Sequence, residues 1–92
     1  MNVSLTKKAD GDLKKIHAYI KEDNLNAANT VKTKILTAAE ILESFPLIGR
    51  IGRKISTREL IVVKTPYVII YKIQNEFDIV VLRGLHTSRQ WP

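Results

Sequence analysis

Residues 67–85 read YVIIYKIQNEFDIVVLRGL, and this stretch decides the fold class. Two runs rich in β-branched and aromatic residues, 67–73 and 77–85, are separated by the polar residues 74–76. Runs of this composition on either side of a short turn-forming segment are typical of paired antiparallel strands. The stretch therefore predicts a β-hairpin.

The first strand of this hairpin is apolar or aromatic on both faces. Tyr67, Ile69 and Tyr71 alternate with Val68 and Ile70, as in a strand that is covered on both sides. The two tyrosines could stack on bases, as aromatic side chains do on sheets that bind nucleic acid. We favour the core for both, because tyrosine is a common strand residue.

Working back along the chain, residues 58–63 (RELIVV) predict another antiparallel strand, and residues 64–66 predict the turn that joins it to the hairpin. Before it lies a glycine-containing, positively charged loop, residues 46–57, which begins at a proline that ends the preceding helix. We expect three apolar residues to hold this loop against the core: Leu47, Ile48 and Ile51.

Two amphipathic helices precede the loop. Thr6 is the predicted N-cap of the first, residues 22–26 form a polar turn, and the second helix opens near Asn26. The predicted core stripe of the first helix is Ala9, Leu13, Ile16 and Ile20. That of the second is Ala28, Val31, Ile35, Ala38, Leu42 and Phe45. Within the first helix, His17 adjoins the stripe and is interpreted as a packing residue.

Val3 and Leu5 alternate with polar neighbours and predict a short first strand. The element order is then β-α-α-β-β-β, a helical hairpin packed on a small antiparallel sheet in a two-layer α+β fold. At 92 residues, the chain is expected to be one domain over residues 1–92.

Composition excludes several classes of protein. The chain has no cysteine and only two histidines, so a disulfide framework is ruled out and neither a metal site nor a cofactor is expected. No apolar run approaches the roughly 18 residues that a membrane helix needs, and the amino-terminal residues carry no export signal. We expect a cytoplasmic protein without a membrane partner.

The positive charge is concentrated in the second half of the chain. Residues 1–45 carry seven lysines against six acidic residues, whereas residues 46–92 carry eight lysines and arginines against three. All five arginines lie in the second half, and the arginine fork suits phosphates and carboxylates. The predicted partner is therefore anionic.

No phosphate-binding loop or serine-histidine-aspartate set is present, but RNA can be cleaved without a metal. Cleavage needs a base for the 2′-hydroxyl, cations for the phosphorane charge and an acid for the leaving oxygen. If their strands lie close, Arg58 and Arg83 can meet one anion, and His86, at a strand end, can serve as the acid. A structural interpretation stays open for each, since arginines pair with carboxylates and a lone histidine is more often structural.

A second group of residues suits the binding of phosphate or of a macromolecular target. It is the cationic and aromatic set of the loop and the carboxyl end: Arg50, Arg53, Lys54, Arg89 and Trp91. An indole so close to the last residue is expected to dock back on the domain or to anchor a partner.

The chain resembles the ParE/RelE toxin superfamily of type II toxin–antitoxin systems, also described as plasmid stabilisation or addiction-module toxins. The resemblance rests on five segments in order: ADGDLKKIHAYI, AEILESFPLIGR, TREL, PYVIIYKI and VVLRGLHTSRQWP. It implies the β-α-α-β-β-β fold and a cognate acidic antitoxin, a segment of which wraps the toxin's basic surface.

The resemblance implies one of two targets. RelE-like members are ribosome-dependent endoribonucleases that act on mRNA, and ParE-like members poison DNA gyrase without a nuclease site. Arg58, Arg83 and His86 fall where the ribonucleases keep phosphate-binding arginines and an acid, but nothing clearly matches a general base and no tyrosine follows His86. The ending L-H-x-x-R-x-W-P is similar to that of ParE sequences.

We therefore predict a gyrase poison, which is not an enzyme, with a metal-independent ribosome-dependent endoribonuclease as the alternative. A non-toxic module that binds RNA or an acidic peptide through the same basic sheet is a further alternative.

Overall fold

The computed structural model describes residues 1–89 and 91, and contains two helices packed on a mixed five-stranded sheet. The elements in chain order are β1 (Asn2–Leu5), α1 (Lys7–Lys21), α2 (Leu25–Ser44), β2 (Arg50–Ile51), β3 (Arg58–Ile61), β4 (Tyr67–Ile73) and β5 (Asp78–His86). The predicted α+β fold, with a helical hairpin packed on a sheet, is confirmed, but the prediction of an antiparallel sheet was wrong because β1 pairs parallel to β5, and β2 adds a strand to the predicted order. Gln90 and Pro92, part of the last resembling segment, lie outside the described residues.

The strand order in the sheet is β1-β5-β4-β3-β2. β1 runs parallel to β5, and the remaining neighbours are antiparallel. β2 is a two-residue strand inside the segment that was predicted to be a loop. The strand predicted over residues 58–63 ends at Ile61, because Lys64 adopts a left-handed φ of 61° and the Thr65 N–H turns back to the Val62 carbonyl.

Both helices begin at side-chain caps. The Thr6 hydroxyl accepts a hydrogen bond from the Ala9 N–H at 3.1 Å, and the Asn24 side chain accepts one from the Ala27 N–H at 3.0 Å. The second helix therefore begins at Leu25, slightly earlier than predicted. Placing Phe45 in the core was wrong. This residue caps the carboxyl end of α2, its backbone no longer follows the helix, and its side chain is exposed.

The main core lies between the helical hairpin and one face of the sheet. Leu13, Ile35 and Leu42 are buried there, and Ile16 packs against them while partly exposed, so the predicted stripes are otherwise confirmed. His17 Nε2 lies 2.8 Å from Asn29 Oδ1 and links the two helices. Within the described residues no helix is long and apolar enough to span a bilayer.

Tyr71 is fully buried and ties the loop between α2 and β3 to the sheet. Its hydroxyl donates to the Pro46 carbonyl at 2.7 Å and accepts from the Gly49 N–H at 2.9 Å. A Cβ at Gly49 would lie 2.7 Å from the Tyr71 ring, so this approach requires glycine. The three apolar residues expected to hold the loop are all exposed, and that prediction was wrong: polar contacts to Tyr71 hold it instead.

The sheet face that points away from the helices carries a second, smaller apolar cluster. Val68, Ile70 and Leu85 are buried, and Trp91 packs over them. The central strand is thus covered on both faces, as its sequence predicted, and the carboxyl-terminal indole docks back on the domain. Tyr67 and Tyr71 both lie in the core.

Candidate functional site

Arg83, a predicted phosphate ligand, is engaged by a carboxylate of α1. Its Nε donates to Asp12 Oδ2 at 2.7 Å and its Nη2 donates to Asp12 Oδ1 at 3.0 Å, so the pair is bidentate. The Gly84 N–H also donates to Asp12 Oδ2, at 3.1 Å. The Asp12 side chain is 8% exposed and that of Arg83 is 21% exposed. The guanidinium therefore joins β5 to α1.

The environment of this pair keeps both groups charged. Burial on its own raises the pKa of Asp12, but the hydrogen bonds from Arg83 and Gly84 and the positive charges of Arg83 and Arg89 outweigh it, and the pKa of Asp12 lies below its ordinary value. The hydrogen bond from Arg83 to Asp12 raises the pKa of Arg83 in turn.

Arg58 is directed to the loop rather than to Arg83. Its Nη1 donates to the Gly49 carbonyl at 2.7 Å and lies 3.3 Å from the Leu47 carbonyl. β3 and β5 flank β4, so the backbones of the two arginines are separated by two strand spacings, about 10 Å. The two guanidinium groups do not converge on one position.

His86 lies elsewhere in the sheet. His86 pairs with Tyr67 of β4, whereas Arg58 pairs with Tyr71 of the same strand. Because Tyr67 and Tyr71 are four residues apart, His86 is displaced from Arg58 by roughly 13 Å along the strand direction. Its ring meets the Tyr67 ring edge-to-face at 5.6 Å, and its Nδ1 accepts the Ser88 N–H at 3.1 Å. It lines a shallow depression beside α1 with Tyr19 and other residues. The three residues proposed for catalysis are not gathered into one site.

The residues predicted to bind a phosphate or a target do come together. Four of them, Arg50, Arg53, Arg89 and Trp91, line one cleft of about 90 Å³ on the sheet face that points away from the helices. Lys54 borders it, with its Nζ 6.0 Å from the centre of the Trp91 ring. We call this set the basic cleft.

A buried carboxylate organises the basic cleft. Glu59 accepts hydrogen bonds from Arg50 Nη2 at 3.1 Å and from the Arg53 N–H at 3.2 Å. Its own side chain is 6% exposed, whereas that of Arg50 is 62% exposed. Glu59 thus fixes the base of the cleft and leaves the arginine heads largely in solvent.

The Trp91 indole supplies an unsatisfied donor next to these cations. Its Nε1 is buried and has no hydrogen-bond acceptor within the described residues. A buried N–H without an acceptor is unfavourable.

Sequence reasoning missed the two buried carboxylates. Asp12 lies three residues after Ala9 and four before Ile16, on the apolar stripe of α1, and a carboxylate in that position requires a cationic partner. That signal was available. Glu59 gave none, because a glutamate in a short strand beside arginines is equally consistent with an exposed position.

Comparisons with known proteins identify relatives of the whole domain. A sequence model described as the ParE toxin of type II toxin-antitoxin system, parDE, matches residues 3–91. A protein of Sinorhizobium fredii (strain NBRC 101917 / NGR234) named "Putative toxin Y4kP" is 42% identical over 80 residues, which are 87% of this chain and 81% of that protein.

Two solved structures share the fold. A chain of the chromosomal ParDE TA system from P. aeruginosa superposes with a TM-score of 0.81 at 21% identity, covering 94% of this chain and 95% of the other. A chain of the toxin-antitoxin complex RelBE2 from Mycobacterium tuberculosis gives a TM-score of 0.68 at 23% identity, covering 92% and 95%.

Proposed function

Because the chain belongs to the ParE toxin family of type II toxin–antitoxin systems, we propose that it arrests growth by poisoning DNA gyrase in the cytoplasm and that a cognate acidic antitoxin holds it inactive. The toxin acts by binding and catalyses no reaction. The target contacts are the exposed cations and the indole of the basic cleft.

One observation carries the choice of gyrase over RNA cleavage: the predicted acid–base set is not assembled. Arg83 is engaged by Asp12, Arg58 is engaged by loop carbonyls, and His86 lies more than a dozen ångströms along the sheet from the row of Arg58. An in-line cleavage needs its acid and its phosphate ligands around one phosphorus atom. This arrangement disfavours a nuclease.

The basic cleft has the composition of a protein-binding surface. Arginine and tryptophan are the residues that most often dominate binding energy at interfaces. Arg53 and Arg89 are exposed beside a partly buried Trp91.

A ribosome-dependent endoribonuclease is the alternative, and the exposure of the His86 side chain supports it. The acid in that mechanism is the imidazolium form of the ring, which donates one proton to the leaving oxygen and becomes neutral. Under this alternative, Arg89, which lines the same depression, is a candidate phosphate ligand.

The two functions predict opposite results for two variants. If gyrase is the target, His86→Gln keeps growth arrest and inhibition of supercoiling, whereas Arg53→Ala combined with Trp91→Ala weakens gyrase inhibition at least thirtyfold, as expected when interface anchors worth about 2 kcal/mol are removed. His17→Gln is the matched control for the histidine substitution, and circular dichroism confirms folding. The proposal is overturned in favour of the nuclease if the folded His86→Gln variant is not toxic and the unsubstituted chain cleaves ribosome-bound mRNA.

The gene neighbourhood tests the antitoxin. A short adjacent reading frame that encodes an acidic DNA-binding protein supports the toxin functions, and co-expression of its product restores growth. A chain that arrests neither growth nor supercoiling, and is encoded alone, is the non-toxic binding module instead.

A further inference from the structure

The two most exposed large apolar side chains among the described residues lie in the hairpin formed by β2 and β3. Ile55 is 90% exposed and Ile51 is 82% exposed, and Leu47, which precedes the hairpin, is 65% exposed. Apolar side chains exposed singly are normal on a protein surface, whereas a group of them marks an interaction site. We call Leu47, Ile51 and Ile55 the apolar tip.

Hydrogen bonds hold the backbone of this hairpin in place. The Gly52 N–H donates to the Thr57 carbonyl at 2.8 Å, and the Thr57 N–H donates to the Lys54 carbonyl at 3.1 Å. The Arg53 N–H donates to the buried Glu59 carboxylate at 3.2 Å. Because these contacts fix the backbone before a partner binds, less conformational entropy is lost on binding.

The apolar tip is separate from the basic cleft. Successive side chains of a strand point to opposite faces, and Arg50 faces Glu59 in the cleft, so Ile51 points away from it. Arg58, the strand partner of Ile51, donates to the Leu47 carbonyl at 3.3 Å, so the loop backbone engages its guanidinium. The hairpin therefore has a cationic face and a second face on which Ile51 is exposed.

The basic cleft alone is small for a stable protein complex. Stable interfaces bury about 800 Å² on each partner and use roughly 20–30 residues a side, whereas the cleft offers five cationic and aromatic side chains. Interfaces also have an apolar centre from which water is excluded, with polar residues at the rim. The apolar tip, on the same hairpin as three of the cations, can supply that centre.

We propose that gyrase binds the apolar tip together with the basic cleft, so that Ile51 and Ile55 enter an apolar pocket of gyrase and the cations meet carboxylates beside it. The inference rests on the proposed function and names further target contacts for it. The apolar tip sets the lifetime of the complex, because most substitutions at an interface act on dissociation, whereas the charges at its rim act on association.

The chemistry of the apolar tip favours a folded target over the other candidate occupants. An acidic antitoxin segment is held by charge, but the cation beside Ile51, Arg58, is already engaged by the loop, and a carboxylate buried against apolar side chains is unfavourable. A second copy of the chain would bring the cations of two hairpins together, and like charges oppose that contact.

The double variant Ile51→Ser with Ile55→Ser tests the proposal, with Leu25→Ser as its control. Leu25 is also exposed and begins α2, a 20-residue helix, so it lies roughly 30 Å along that helix from the loop. We expect the double variant to raise the concentration that half-inhibits supercoiling at least thirtyfold and the control to change it less than threefold. Methionine at both isoleucine positions should keep inhibition within fivefold, because the surface stays apolar.

Binding kinetics on immobilised gyrase give a second measurement. The double serine variant should dissociate faster, with its association rate within threefold of the parent's, and the salt dependence of association should be unchanged. Circular dichroism and binding to the product of the adjacent antitoxin gene, both as in the parent, show that the variant folds.

Four results overturn the inference. The first is inhibition of gyrase by the folded double serine variant at the parent's concentration. The second is loss of antitoxin binding in that variant, which assigns the apolar tip to the antitoxin. The third is a self-associated parent that the variant converts to monomers, which assigns the tip to a second copy. The fourth is binding of duplex DNA alone by the parent and not by the variant, which assigns it to nucleic acid.

Failure of the proposed function is recognised before any variant is compared. If the unsubstituted chain neither binds gyrase nor inhibits supercoiling, the proposed function fails and the inference fails with it. If the unsubstituted chain inhibits gyrase and the double serine variant does so equally well, the inference alone fails and the basic cleft remains the proposed contact.

Discussion

Replacing Asp12 with asparagine tests whether Arg83 is a structural residue. The Asp12 carboxylate accepts three hydrogen bonds, and the neutral asparagine amide lacks its negative charge. The Arg83 guanidinium then stays largely buried but has no counter-ion. Breaking a buried ion pair from one side costs about 3–5 kcal/mol. We expect about 3 kcal/mol, the lower end, because the Arg83 side chain keeps 21% exposure.

The assay is urea unfolding followed by circular dichroism, with thermal melting as a second measurement. A loss of about 3 kcal/mol corresponds to a fall in Tm of roughly 12–24 °C for a domain of this size. The double variant Asp12→Leu with Arg83→Met removes both charges and should regain most of the stability, since apolar replacement of a whole buried pair is often neutral.

The pair also predicts a pH dependence with a definite sign. The pKa of Asp12 is lower in the folded chain than in the unfolded chain, so the pair stabilises fully above the unfolded value of about 3.9 and its contribution disappears as the pH falls through the folded value. The free energy of unfolding should therefore fall more steeply below about pH 4 in the parent than in Asp12→Asn.

Two results would refute this reasoning. The structural account fails if Asp12→Asn unfolds within about 1 kcal/mol of the parent at neutral pH, far less than a broken buried pair costs. If the double variant folds normally yet loses toxicity, Arg83 contacts the target or substrate in addition to Asp12. Full toxicity of the folded double variant shows that the guanidinium has no direct functional role.

Three further outcomes are expected. Leu42→Ala should lower the free energy of unfolding by about 2–5 kcal/mol, because the Leu42 side chain is fully buried. Unchanged melting would mean that the wrong face of α2 was assigned to the core. Tyr71→Phe should lose about 1–2 kcal/mol, because the Gly49 N–H and the Pro46 carbonyl lose their partner, and unaltered protection of the Gly49 amide would contradict this. Association with the antitoxin should slow markedly as salt is raised, by charge screening, and stopped-flow rates that are independent of ionic strength would exclude the basic cleft as its contact.

The parts of the fold that sequence predicted well depend on local periodicity. The run of β-branched and aromatic residues in 67–73 leads directly to a strand. The three- and four-residue spacing of the apolar residues in each helix, including Leu13, Ile35 and Leu42, leads directly to the core faces, because burial repeats with the period of the helix. The two-faced central strand followed from its lack of polar alternation. These predictions needed no knowledge of which elements touch.

The parts that failed or were missed depend on contacts between distant residues. We predicted that apolar side chains hold the loop after α2 against the core. The contact that holds the loop is instead the hydrogen bond from the Gly49 N–H to the hydroxyl of Tyr71, 22 residues further along the chain. The convergence of Arg58 and Arg83 depended on strand order, and β4 lies between their strands. Composition identified the cations of the basic cleft, whereas the pairing of Glu59 with Arg50 required the register of β2 on β3.

The placement of β5 beside β1 has a consequence for biosynthesis. Asp12 is translated 71 residues before its partner Arg83, and β1 likewise precedes its partner β5. At roughly 5–20 residues per second, the earlier segments wait several seconds for β5, and pairings this far apart in sequence form slowly. A ribosome that is still making this toxin therefore carries an unfinished sheet, and the cell is exposed to a folded toxin only after β5 has been synthesised.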